Sequence, residues 1–383
     1  MSNFLTCVLV ALLTLANAAY AQDMAAKPAT AQQMADYRAR LAAYKTAREQ
    51  FETQASAYWT AIGEKRKIRN AKRRAGETIA ATDYVLTQPP VYSGPPRPVD
   101  PSGATPPPTP LAPLPVVADF LQNAMTHFLF APRKPASEMD YKRAYAKIAS
   151  SFGLTKDQAV RIYGFESGGN GKYDVQAGLE SNRPGARAIS TALGYNQLLT
   201  TNTIGLLAEH GGVILKTLRD KAARTPAPQR PDLERKIATL QRMIAIAKSV
   251  PNEWYAHEKL GTTPQGIGLH ALNLDIDVGP ILQTLKLMDS LNFARRKGYS
   301  APLSAAELEM MNLTGDGNGF DMVSMPQALR VQVPTSNFFQ RGGYERNPVA
   351  IRNNTVSKLI AATDAKMDKE ILLQGARDLA DLF

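Results

Sequence analysis

Cysteine is almost missing from this chain of 383 residues. The single one, Cys7, lies in an apolar run at the start, so the remainder can form no disulfide, thiol nucleophile or thiolate metal site. Histidine is scarce as well: His127, His210, His257 and His270 show no metal-ligand spacing. Neither a Walker nor a Rossmann glycine pattern is present, so no nucleotide cofactor is expected, and no metal. Beyond residue 21 no stretch approaches the ~20 apolar residues that a membrane-spanning helix needs. Alternating strand patterns are few, which leaves a mainly α fold as the expectation.

The first 21 residues read as a secretory signal. Phe4 to Leu15 is apolar, and Ala19-Tyr20-Ala21 gives an A-x-A cleavage site before Gln22, although the start carries no Lys or Arg. Cleavage predicts an exported protein, periplasmic or secreted. The formal charge of +11 belongs wholly to the rest of the chain, because the signal has no charged side chain. A basic exported protein favours anionic polymers or lipid, a class that charge alone does not narrow.

Residues 31 to 75 read as one helix. Met34, Tyr37, Leu41, Tyr44, Phe51, Ala55, Tyr58 and Ile62 follow alternating spacings of 3 and 4, with Arg48 the only polar member. This heptad seam predicts a coiled coil that self-associates or holds a protein partner, or a helix docked on the chain's own body. The run from Lys65 to Arg74 is strongly basic. Such runs are mostly solvated faces, so contact with an anionic wall or nucleic acid is the lesser reading, and no nucleic-acid partner is expected. Residues 88 to 115 hold twelve prolines and should be an extended, semi-stiff linker. The division expected is therefore a signal over 1–21, a helical arm over 22–87, a linker over 88–115 and an α-rich domain over 116–383.

Within that domain, Ser137 with Glu138 and Asp140 opens a helix to about Ser150. Ala188 to His210 reads as mostly helical, and helices are expected over Asp232–Ser249 and Asp277–Leu291, the latter with Ile281, Leu282, Leu285 and Met288 inward. Long loops are expected around 168–187 and 311–347. Thr155 and Gln158 have capping-box spacing, and Ala159, Ile162, Tyr163 and Glu166 fall on one helical stripe. A carboxylate ending an apolar stripe before Ser167-Gly168-Gly169 tends to be desolvated. Desolvation raises its pKa, which suits a general acid; a surface glutamate after a core helix is the ordinary alternative.

Three segments together resemble the soluble lytic transglycosylases, with their goose-lysozyme-like catalytic domain. Gly153-Leu154 leads to Glu166-Ser167-Gly168-Gly169-Asn170, similar to the family's Glu-Ser-x-x-Asn. Ala192-Leu193-Gly194-Tyr195-Asn196-Gln197-Leu198-Leu199 resembles its Ala-x-Gly-Leu-Met-Gln-Leu-Met segment. Asp275-Ile276-Asp277-Val278-Gly279 resembles its Asn-Ile-x-x-Gly helix start. The likeness covers roughly residues 140 to 290. Gly171 stands where the family has proline, Tyr195 and Asn196 replace hydrophobic residues, and Phe339-Gln340-Arg341-Gly342 matches the fourth motif, Tyr-Asn-Ala-Gly, poorly.

The resemblance implies cleavage of the β-1,4 bond between N-acetylmuramic acid and N-acetylglucosamine in peptidoglycan strands. Glu166 would be the catalytic acid and then base, with the muramyl C6 hydroxyl as nucleophile and a 1,6-anhydro product. Ser167, Gly194, Tyr195, Asn196, Gln197, Gln340 and Tyr344 would bind substrate. For Ser167 the alternative is capping the next turn, and for Tyr195 it is core packing. Asp174 and Glu180 are candidates for a second carboxylate, as in a hydrolytic lysozyme, although loop carboxylates are mostly just solvated. A silent wall-binding or secretion-scaffold protein is the reading from another class. Thr314-Gly315-Asp316-Gly317-Asn318-Gly319 looks like a calcium loop, but Met325 falls where a bidentate glutamate is expected, so a metal-free turn is preferred. The run Phe338 to Asn347 suits a loop lining a carbohydrate cleft, with Arg341 or Arg346 facing carboxylates, or an ordinary packed loop.

Overall fold

The computed structural model describes residues 29–103, 113–179 and 186–383. The expected signal with Cys7, part of the proline-rich stretch, and Glu180 lie outside the described residues. Among the described residues the architecture is helical, and strand pairing is reduced to isolated bridges such as Leu193–Leu198 and Pro334–Thr355. Among the described residues no helix is long and apolar enough to cross a membrane. The described chain forms two compact units, one of residues up to 64 with 89–103, the other of 65–88 with 113–383.

Helix α1 runs unbroken over Ala31–Ala75. In the smaller unit its heptad seam meets the chain's own proline-rich segment. The Tyr92 ring packs edge-on against Tyr44 and Phe51, with centroids 6.2 and 5.5 Å away. Arg48, the polar member of the seam, places its guanidinium 4.9 Å from the Phe51 centroid and 5.3 Å from that of Tyr92. A cation over ring faces is compatible with an aromatic seam, which is why an arginine fits there.

The basic run at the end of α1 belongs to the larger unit, and only part of it, such as Lys67 and Arg74, is a solvated face. Arg66, Arg69 and Arg73 share one side of the helix. Arg69 is fully buried: its Nε lies 3.3 Å from Asp321, and its Nη atoms donate to the carbonyls of Asp83 at 3.0 Å and Asn337 at 3.1 Å. Its cationic carbon sits 4.6 Å from the Tyr84 centroid. Arg73 also pairs with Asp321, and Lys72 with Asp83 at 2.8 Å. Local charge density predicts solvation; the buried acceptors that override it come from residues far along the chain. This also corrects the expected boundary, since 65–88 folds with the larger unit.

In that unit α2 (Val117–Phe128), α5 (Thr200–Arg224), α6 (Arg230–Ala247), α8 (Pro264–His270) and α9 (Gly279–Arg296) enclose one apolar core, reached also by the short α7 (Trp254–Gly261). Phe120, Ile204, Leu207, Met243, Leu269 and Leu282 are among its fully buried members, each stabilising by ~1.5–3 kcal/mol. The expected start of α9 is present: Asp275 Oδ1 accepts from the amides of Asp277 and Val278 at 2.9 and 3.2 Å. Ile281, Leu282, Leu285 and Met288 are all buried. Residues 188–199 are not helical; α5 begins at Thr200, because Gly194 at φ 84° and Gln197 at φ 43° fold the chain into a turn.

The expected loop over 311–347 is mostly short helices: the end of α10 (Ala305–Thr314), α11 (Asp316–Ser324), α12 (Gln327–Arg330) and α13 (Arg341–Glu345). Gly315, at φ 80°, breaks the chain between α10 and α11. The calcium-like run thus enters a helix. Gly319 is there for packing, since a Cβ on it would lie 2.3 Å from the Met311 Cα. Next come α14 (Pro348–Arg352), α15 (Val356–Glu370) and α16 (Gln374–Ala380). α15 and α16 pack on α4 (Lys156–Ser167), and α9 and α16 pack on α3 (Glu138–Phe152).

Candidate functional site

The helix carrying Glu166 is fixed at both ends and along one face. Thr155 Oγ1 accepts from the Gln158 amide, and Gln158 Oε1 accepts from the Thr155 amide, both at 3.2 Å. Ala159, Ile162 and Tyr163 are fully buried. Tyr195 meets Tyr141, Tyr145 and Tyr163 edge-on, with centroids 5.1, 5.3 and 4.6 Å away. The buried hydroxyls of this cluster are partnered: Tyr163 donates to the Gly171 carbonyl at 2.7 Å, Tyr141 to that of Asn273 at 3.2 Å and Tyr195 to the Glu138 carboxylate. At its C-terminal end α4 presses on α15. A Cβ on Gly169, which is at φ 68°, would lie 2.5 Å from the Glu370 carbonyl oxygen, so only glycine fits.

Glu166 is half-buried and faces a second carboxyl group, that of Glu309 on α10. Glu309 is 1% exposed. Asn312, three residues further along α10, donates its amide to Glu166 Oε1 at 2.7 Å and to Glu309 Oε2 at 3.4 Å. Burial raises the Glu166 pKa to about 7; a hydrogen bond from Glu309, the charges of Lys366 and Lys286, and the Asn312 amide oppose the rise. The Glu309 carboxyl is held well above the carboxylate range, first by burial and then by the charge of Glu166. Two carboxyls in contact in a dry setting do not both ionise, so the pair retains a proton near neutral pH. Lys366 closes the far side, donating to the Phe165 carbonyl at 3.0 Å with its ammonium 4.1 Å from the Phe165 centroid.

Most of the other residues expected to bind substrate make structural contacts in this arrangement, Gln340 excepted. Tyr195 and Asn196 are buried; the Asn196 amide donates to Tyr145 Oη at 3.1 Å and to the Gln283 carbonyl at 2.8 Å. Gln197 ties its turn to the preceding segment, accepting from the Ala177 amide at 3.1 Å and donating to the carbonyls of Val175 and Gly194 at 3.1 and 2.6 Å. Gly194 provides close approach, because a Cβ would lie 2.4 Å from Gln283 Nε2. Ser167 Oγ bonds back to the Tyr163 carbonyl at 2.6 Å, within its own helix and not to the turn that follows. Tyr344 is buried against Phe339, and Gln340 is an exposed N-cap of α13. The run from Phe338 is packed at its start, where Arg66 bonds the carbonyls of Asn337 and Phe339 at 3.2 and 2.8 Å. It is mostly exposed from Gln340 on apart from Tyr344, with Arg341 paired to Glu345 at 2.8 Å. Asp174 is exposed.

The residues that sequence reasoning missed come from outside the recognised motifs. Glu309 and Asn312 stand on α10, a helix that none of those motifs reaches. A signal existed: Ser304 and Glu307 form a capping box, and Glu309 sits between the buried Leu308 and Met310. Lys286, which acts electrostatically on both carboxyls, also lines a cavity of about 180 Å³ with Asn202, Trp254, His257, Asp289 and Asp316. Trp254 is 56% exposed and the adjoining Tyr255 75%. Among the described residues Glu209, His210 and Asp289 bring potential ligand atoms within 4.8 Å of one another. His210 already engages Asp289 at 2.6 Å, a bond that raises the imidazole pKa, so two of the three groups are paired with each other and Glu209 is exposed. No family model, curated protein or solved structure matches the chain.

Proposed function

We propose that the protein is an exported, cofactor-free peptidoglycan lytic transglycosylase in which Glu166 is the acid and base. The observation that carries this reading is the Glu166 carboxyl, its pKa raised to about 7 by burial and its Oε1 held by the Asn312 amide, with Lys286, whose charge acts on it, also lining the cavity that Trp254 edges. In the first step the Glu166 proton passes to the bridging glycosidic oxygen as the bond to the anomeric carbon breaks. The Glu166 carboxylate then takes the proton of the muramyl C6 hydroxyl, whose oxygen bonds to the anomeric carbon. The products are a 1,6-anhydromuramyl end and a free N-acetylglucosamine hydroxyl, with no water consumed. Neutral Glu309 and the Asn312 amide hold the Glu166 carboxylate by hydrogen bonds between these steps. Trp254, rather than the buried Tyr195, supplies an aromatic face for a sugar ring.

Glu309 does not turn the site into a two-carboxylate hydrolase. Such enzymes set their carboxyls ~5–9.5 Å apart on opposite sides of the sugar, whereas Glu309 is hydrogen-bonded to Glu166. Digestion of purified sacculi by the protein and by Glu166→Gln, with mass spectrometry of the sugar ends, tests the reading. Anhydromuramyl ends that vanish in the variant support it. Reducing ends mean hydrolysis, and binding without release by either protein means a silent wall-binding scaffold; both overturn it.

A further inference from the structure

A groove of about 700 Å³ opens between α5, α6 and the segment after α2. None of the residues around Glu166 lines it. Five cationic side chains, Arg133, Lys221, Arg235, Lys236 and Arg242, share its walls with two carboxylates, Asp232 and Asp277. Both carboxylates are already engaged. Asp277 meets Arg133 at 2.6 Å, Lys221 at 2.5 Å and also Lys236, while Asp232 pairs with Arg235. Lys236 binds the buried Asp275 beneath the groove as well, at 2.7 Å. Even with Asp275 counted, five cations face three carboxylates.

Arg242 is the cation with no carboxylate partner among the described residues. Its Nη2 donates to the Phe128 carbonyl at 3.2 Å and to Thr239 Oγ1 at 3.0 Å, which fixes its direction and leaves its other donors unspent. The rim adds an apolar feature. Leu129 ends α2 at φ 54°, a conformation that costs energy for leucine, and it is 79% exposed. The left-handed backbone closes α2, with the Leu129 amide on the Ala124 and Met125 carbonyls, whereas its exposed side chain beside a surplus of positive charge has no packing role.

We propose that this groove binds a short acidic peptide, its carboxylates on Arg242, Arg133 and Lys221 and an aliphatic side chain on Leu129. The three cations stand on three separate segments, which suits carboxylates spaced along a peptide better than one compact phosphate. The volume falls in the range of pockets for ligands of a few residues. Arginine forks match carboxylates in two-point contact, and concave walls of one sign concentrate anions. This assignment is independent of the chemistry at Glu166.

Calorimetric titration of the full chain at low salt tests it, with the peptide Ala-Glu-Ala bearing a free C-terminus as probe. The comparison ligands are Ala-Gln-Ala with an amidated C-terminus and inorganic phosphate. Expected are saturable binding of the acidic peptide and at least about fivefold weaker binding by Arg242→Gln and by Leu129→Ala. Both variants alter exposed side chains, and matching thermal unfolding curves show that they fold. Equal binding of the amidated peptide overturns the proposal, as does an unchanged Arg242→Gln titration or no binding at ~5 mM peptide. Phosphate that competes with the affinity of the peptide would make the groove a general oxyanion site and overturn the peptide assignment.

Discussion

Glu166 shows at the scale of one residue how far a sequence pattern reaches. Its helix, N-cap and inward stripe follow from local spacing, and desolvation at the end of that stripe follows from the stripe. What spacing omits is the partner. Glu309 approaches from a helix 143 positions later in the numbering of the same chain, and nothing local to Glu166 announces it. Its presence changes the chemistry proposed for Glu166, because two carboxyls in contact hold a proton between them. Glu309→Leu removes a hydrogen-bond donor that lowers the Glu166 pKa, so the pH–rate profile for glycan release should shift to higher pH. Glu309→Gln keeps an N–H donor in nearly the same volume and should leave the profile close to that of the parent protein. A Glu309→Leu profile that does not move would remove Glu309 from the proton balance and leave it a packing residue.

Helices were legible wherever capping and periodicity agreed, as in α3, α4 and α9. They were missed where tertiary contacts override composition. The segment over 188–199 is apolar enough for a helix, yet Gly194 and Gln197 at positive φ turn it under Gln283, and an apolar count does not register that turn. The substrate role expected for Tyr195 failed for a related reason: an aromatic beside a candidate acid is equally an aromatic in the core that holds the acid in place. The end of α1 is the clearest case. A run of arginines and lysines reads as solvated until the buried Asp321 and the carbonyls of Asp83 and Asn337 are in view. Replacing Asp321 with leucine strands Arg69 in a dry pocket and also removes the partner of Arg73. A loss of about 3–5 kcal/mol is expected, as for other buried pairs broken on one side. Urea unfolding measures it, and a loss below about 1 kcal/mol would mean that the carbonyl acceptors alone satisfy the guanidinium.

Across the whole molecule two buried titrating groups give stability opposite dependences on pH. His270 is fully buried, its ring 4.7 Å from that of Phe120, with Nε2–H donating to the Thr191 carbonyl at 2.9 Å and Nδ1 accepting from Thr203 Oγ1 at 2.8 Å. Burial lowers its pKa from 6.5 to about 4. The unfolded chain therefore binds this proton first, and the contribution present above pH 6.5 is lost as pH falls toward 4. The Glu166–Glu309 pair runs the other way. With the Glu166 pKa raised from 4.5 to about 7, its contribution is full below pH 4.5 and is lost as pH rises through 7. Glu309, raised further, extends that loss to higher pH. Between pH 5 and 7 one rising slope opposes two falling ones, so the contribution of these three groups to the parent protein's stability should decline with pH there. In a Glu166→Gln, Glu309→Gln double variant the two falling slopes are gone and the His270 slope is unopposed by them, so stability should climb from pH 4.5 to 6.5. By pH 8 the variant should exceed the parent by about 3 kcal/mol or more, the scale of the Glu166 shift alone. Urea midpoints at half-unit pH intervals decide the matter. Parallel profiles for the two proteins would show that the carboxyl pair titrates alike in the folded and unfolded chains, and the raised pKa assigned to Glu166 would then be wrong.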